Sequence, residues 1–238
     1  MGTAGERTPA RENAMIGLIS AMNSEIDLLR NAMTERREEA RAGVIFYLGK
    51  IDGVDVVLVS CGVGKVNAAV HTQILIDFYH PAAIIQSGVA GALTSDLKIF
   101  DVVVGSELVY HDMQDFILES FDSLEKVYYA DPALVRLVTD VEPNARVGRI
   151  ATGDIFVSDP ETKHAIREKT GALSAEMEGA AVAHTATLNH IPFVVIRVIS
   201  DAADADPELV FAVFEVAAAQ NCSAIVRKML PKVAHSLA

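Results

Sequence analysis

The sequence predicts an α/β protein, a three-layer α/β/α sandwich around a central mixed, largely parallel sheet. Three observations carry that expectation. Short apolar runs alternate with helical patterns from Met15 onward. Most of these runs lack the apolar/polar alternation of a half-solvated strand, so they read as strands buried on both faces. Five of them lead into small-residue turns, the punctuation of strand-to-helix units.

Residues 1–13 are polar and charged, without the apolar segment of a signal peptide. They are expected to be a disordered lead to a single domain over residues 14–238. Residues 15–20 read as a buried strand. Ser24 is a candidate N-cap for a helix with Ile26, Leu29 and Met33 on one side. Residues 34–41 are charge-rich and expected to be solvated. Strands over 44–48 and 54–60 pair across an Asp52-Gly53 turn. Cys61-Gly62-Val63-Gly64-Lys65 opens a helix reaching about Phe78, and Pro81 precedes a strand over 82–86. Residues 87–92 read as a second small-residue turn.

A strand over 102–108, a polar segment over 110–126, a helix over 132–139 and a strand over 145–151 follow. After the turn at 152–156, Pro160 marks a first helical turn, where its missing N–H is harmless. Residues 174–183 run into a small-residue helix, 192–199 form a β-branched strand, and 207–230 form a long closing helix.

Acidic residues outnumber basic ones, 32 to 20, giving a net charge of −12. That balance argues against a nucleic-acid surface. Cys61 and Cys222 lie far apart and outside any metal-binding spacing, which fits a reduced, cytoplasmic protein. No apolar run reaches membrane-spanning length, and no membrane association is expected.

In sheets of this type ligands collect at the carboxyl ends of strands. Residues 20–25, 62–64, 87–91, 153–156 and 200–204 should therefore converge on one cleft. Glu25, Glu178 and Asp201 fall at or next to such ends. Carboxylates without metal spacing point to proton transfer and to hydroxyls held by carboxylate acceptors. His111 has no second ligand at zinc spacing and reads as a loop histidine bonded to its neighbours. Neither metal nor cofactor is expected. The turn at Gly62–Gly64 matches neither the Walker sequence nor the full dinucleotide fingerprint, so a tight strand–helix turn is preferred to a phosphate cradle. Phe156 and Phe211 are candidates to sandwich a planar base; the alternative is plain core packing, as for Met22 and Met177. Glu176 and Glu178 flank Met177. Were both helical they would point to opposite sides, leaving one structural and one facing a cavity.

Five blocks, in order, resemble the 5′-methylthioadenosine/S-adenosylhomocysteine nucleosidases of the purine nucleoside phosphorylase superfamily. They are residues 16–25, 62–69, 87–91, 175–180 and 191–201. The resemblance runs from about Met15 to Leu230. It implies hydrolysis of the N-glycosidic bond of a small-molecule purine nucleoside to adenine and a ribose derivative, with 5′-deoxyadenosine as a further substrate. By the same resemblance Asp201 is the acid that protonates adenine N7, Glu25 positions and activates the water, and Glu178 binds the ribose hydroxyls. Met22, Met177, Phe156 and Phe211 wall the sugar and base, with Val63 and Val89 in the same binding set. Val157 offers its backbone to the adenine edge, and Arg197 orients the acids.

A homodimer is also implied, with residues 110–119 at the interface. The phosphorylases begin their glycine motif with Arg and carry a Ser in it. Gln86 and Val89 stand there instead, and residues 20–24 contain no Arg. Water is thus the expected nucleophile. Residues 113–119 replace an Ala-Phe-Gly-Tyr-like loop of the family, which leaves a 6-amino-6-deoxyfutalosine hydrolase as the alternative. A phosphorylase is a further alternative. A non-catalytic nucleoside-binding protein ranks last, because the three acids are retained.

Overall fold

The computed structural model describes residues 14–201 and 207–237, the side chains of 207–212 excepted. The expected lead over 1–13 lies outside the described residues. The chain opens with β1 (Ile16–Ser20), α1 (Asn23–Ala32), β2 (Thr34–Arg41), β3 (Val44–Ile51), β4 (Val54–Ser60) and α2 (Lys65–Tyr79). It continues with β5 (Ala83–Ala92), β6 (Val102–Tyr110), α3 (Asp115–Leu118), β7 (Tyr128–Tyr129), α4 (Pro132–Val141) and β8 (Arg146–Thr152). The last elements are α5 (Pro160–Thr170), β9 (Ser174–Glu176), α6 (Gly179–Leu188), β10 (Phe193–Asp201) and α7 (Pro207–Leu237).

All these strands join one mixed sheet, and β5 is its hub. It pairs in parallel with β1 and β10, and antiparallel with β9. Because β10, β6, β8, β9 and β5 pair in sequence and β10 returns to β5, that part of the sheet closes on itself. β1, β4, β3 and β2 extend from β5 as an open wing. Every residue of β1 and β10 is buried, as their unbroken apolar runs predict.

Two main clusters lie on opposite faces of the sheet. Ile26 and Leu29 of α1, Leu134 and Val138 of α4, and Ile225 and Met229 of α7 fill one. Leu75 of α2 and the Ala/Val face of α6 fill the other. This is the expected three-layer arrangement.

Four local expectations change. The charged residues 34–41 are indeed solvent-facing, but they form edge strand β2, paired with β3. Charge on an edge strand discourages pairing with another chain. Residues 87–92 are not a turn: β5 continues through them, because β10 and β9 supply hydrogen-bonding partners along their length. Met22, not Ser24, caps α1. Finally, α7 runs to Leu237, through Pro231. No helix of the described residues is long and apolar enough to cross a membrane.

Candidate active site

The strand ends meet at a cavity of about 390 Å³, a size suited to a small organic ligand. Met22, Glu25, Val63, Val89, Phe156, Val157, Met177, Glu178, Arg197 and Asp201 all line it. Each was a candidate from the sequence. The side chain of Phe211, the remaining candidate, lies outside the described residues.

Glu25 is held by the start of its own helix. As the third residue of α1 it folds back, and its Oε2 accepts from the Ala21 and Met22 N–H groups, both at 2.9 Å. This is the carboxylate half of a capping box. Its Oε1 accepts from the Val89 N–H at 3.0 Å, tying α1 to β5. Burial pushes the Glu25 carboxyl above the usual carboxylate range, against the pull of Arg197 and these three donors.

Arg197 crosses from β10 beneath the cavity and is almost wholly buried. It lies opposite Gly88 of β5. A Cβ there would fall 2.6 Å from Glu25 Oε1 and closer still to the guanidinium, so only glycine leaves the passage open. Its Nη2 bonds Glu176 and lies 3.4 Å from Glu178 Oε2, while Nη1 donates to the Val89 carbonyl at 3.3 Å.

Glu176 and Glu178 therefore share one cation, and helical spacing does not apply. Glu176 ends β9, whereas Glu178 is the N-cap of α6. Their tasks still divide. Glu176 accepts from the Glu178 and Gly179 N–H groups at 3.0 and 2.7 Å and from Thr152, closing the head of α6. Glu178 accepts from the Gly64 N–H at 2.9 Å and faces the cavity. Burial, with Glu176 nearby, raises its carboxyl to about 7 despite Arg197.

Asp201 comes last on β10. The register against β5 steps between Ile199 and Asp201, which leaves Ser200 as an extra residue. Such a bulge re-aims the side chain that follows. Gly91 makes room, since a Cβ there would lie 2.8 Å from Asp201 Oδ2. The Ser200 hydroxyl donates to Oδ1 at 3.0 Å, and burial holds the carboxyl above its ordinary range.

The Gly62–Gly64 turn uses its amides within the protein, and the Gly62 N–H donates to the Ala21 carbonyl at 3.0 Å. The Gly64 N–H serves Glu178, and the Lys65 N–H serves Asp154 Oδ1 at 2.8 Å. This supports the tight-turn reading over a phosphate cradle. His111 does lie in the loop after β6, its N–H donating to the Thr152 carbonyl and its carbonyl accepting from Lys169 Nζ, both at 2.9 Å. Its ring, however, is buried, and Nε2 has no hydrogen-bond partner among the described residues.

Sequence reasoning missed Lys163 and gave Glu176 no place in the cavity, whereas Ile155 lies in a turn already expected there. A signal for Lys163 was present, since it shares the buried face of α5 with Ile166 and Thr170 at helical spacing.

Residues 15–231 match the family model of the phosphorylase superfamily. Over 227 residues the chain is 36% identical to a 5′-methylthioadenosine/S-adenosylhomocysteine nucleosidase of Oceanobacillus iheyensis, covering 92% of this chain and 99% of that one. The chain belongs to this nucleosidase family of the phosphorylase superfamily. Identity to the nucleosidase of Marinomonas sp. is 38%, covering 91% of this chain and 98% of the relative. The S-adenosylhomocysteine nucleosidase of Streptococcus pyogenes, solved with 5-methylthiotubericidin, superposes with a TM-score of 0.88 at 34% identity. That match covers 94% of this chain and 99% of the other.

Proposed function

We propose that the protein hydrolyses the N-glycosidic bond of 5′-methylthioadenosine and S-adenosylhomocysteine, releasing adenine and a thioribose derivative. The observation that carries this reading is the set of Glu25, Glu178 and Asp201 on one largely apolar cavity, in a chain of the nucleosidase family. Breaking the bond makes the sugar cation-like and sends the bonding pair to the base, so catalysis must meet charge at both ends. Asp201, whose proton burial helps to retain, protonates N7 as the base leaves. Glu25, raised but held by three N–H groups, takes the proton from the water that attacks C1′. Glu178 accepts from the ribose hydroxyls, and Met22, Val89, Phe156 and Met177 keep bulk water out.

Incubation with methylthioadenosine, with and without phosphate, is the primary test. Adenine should appear at equal rates in both. A phosphate-dependent rate would make the enzyme a phosphorylase, and a marked preference for 6-amino-6-deoxyfutalosine would move its substrate. Asp201→Asn should lower turnover by about 10²–10⁴-fold with the fold intact by circular dichroism.

The protein is further proposed to act as a cytoplasmic homodimer. Val66 and Val70 on α2 and Leu188 on α6 are exposed, and the last two border one shallow depression. Such apolar exposure on adjoining helices fits an interface. Light scattering of Val66→Lys/Val70→Lys against the parent chain tests it.

A further inference from the structure

Lys163 is a charged side chain of the cavity to which the hydrolysis described above gives no task. Its Nζ lies 3.7 Å from Asp201 Oδ2, and both side chains are nearly sealed from solvent. Burying an ammonium is costly unless counter-charge meets it. Here that counter-charge is one of the acids the reaction uses.

The other charged groups on the cavity wall, among the described residues, are Glu25 of α1, Glu176 of β9, Glu178 at the head of α6 and Arg197 of β10. They are coupled to one another around Arg197. Asp201 meets Lys163 from α5, the Ser200 hydroxyl on its own strand, and the space left by Gly91 on β5.

We propose that Lys163 is a positioning residue for Asp201, a buried cation that aims the carboxylate at the leaving base and sets the pH range over which it carries the transferable proton. The inference rests on Asp201 being the leaving-group acid. As the bonding pair passes from C1′ to the purine, the Asp201 proton moves to N7 and a carboxylate remains. An ammonium beside it stabilises that carboxylate and so strengthens the acid. It does so against burial, which pushes the same carboxyl the other way. An acid of this kind is competent only while protonated, so activity fails above its pKa. Removing the cation should move that failure to higher pH and weaken the acid at every pH below it.

Lys163→Met and Lys163→Arg test this against the parent enzyme. The alkaline limb of the kcat/KM profile should rise by about one unit or more in Lys163→Met and stay in place in Lys163→Arg. A ¹³C NMR titration of the aspartate carboxyls, with Asp201 assigned from its loss in Asp201→Asn, reads the same shift without turnover. If Lys163→Met does not fold, Lys163→Gln carries the measurement. Superimposable profiles and an unmoved Asp201 titration overturn the proposal. An enzyme that releases no adenine, but whose Asp201 titration moves in Lys163→Met, overturns the hydrolase reading and keeps the Lys163–Asp201 coupling.

Discussion

On β2, Arg36, Arg37 and Arg41 flank Glu38 and Glu39, pairing with them at 2.9–3.6 Å in solvent. Around Arg197 the same residue types meet with almost no water: Glu25, Glu176 and Glu178 gather on one guanidinium. Composition does not separate the two regions; burial does. An exposed pair is screened and contributes little, whereas a buried cluster holds charges whose loss leaves partners uncompensated. Only in the second region do carboxyls depart upward from their ordinary range, as proton transfer near neutral pH requires.

Arg197→Met should break the contrast most sharply. It leaves Glu176 and Glu178 buried without their cation, and a loss of about 3–5 kcal/mol is expected in denaturant unfolding, with activity abolished. Gly88→Ala should follow. Its Cβ has no room beside Glu25 and Arg197, so about 1–3 kcal/mol of overpacking and a large fall in kcat are expected.

Acidification is the next lever. The Glu178 carboxyl stands at about 7 when folded, against 4.5 for an ordinary glutamate. Between those values the native state keeps a proton that the unfolded chain has released, so stability falls as pH rises through the window. Melting temperature should therefore climb on acidification from about 7 toward 4.5, and the slope should flatten in Glu178→Gln. The smallest effect belongs to the other region. Arg37→Ala on β2 should change stability by no more than about 0.5 kcal/mol; a larger loss would mean that the edge charges are coupled in a way their exposure does not suggest.

Much of the cavity was legible before any coordinates. The segments after β1, β4 and β8 do meet there with the carboxyl ends of β5 and β10, while residues 202–204 of the expected cleft lie outside the described residues. Turn chemistry and apolar runs are local properties. Glu25 could be found since it stands three residues into a helix that follows a strand. Lys163 was the harder case: its spacing with Ile166 and Thr170 places it on the inner face of α5, but a lysine ordinarily faces water, and only the packing of α5 turns it toward Asp201. Residues 87–92 misled for a related reason, since small residues suit both a turn and a strand that must let neighbouring side chains cross.

Taken alone, then, the order of residues determined the alternation of strands and helices, the family, and the acids offered at the strand ends. The three-dimensional fold decided which charges meet. Closure of β10 onto β5 seats Arg197 over Gly88, and the Ser200 bulge brings Asp201 to Lys163. Both depend on pairings between segments about a hundred residues apart, and burial, which sets the strength of every charge in the cavity, exists only once those pairings are made.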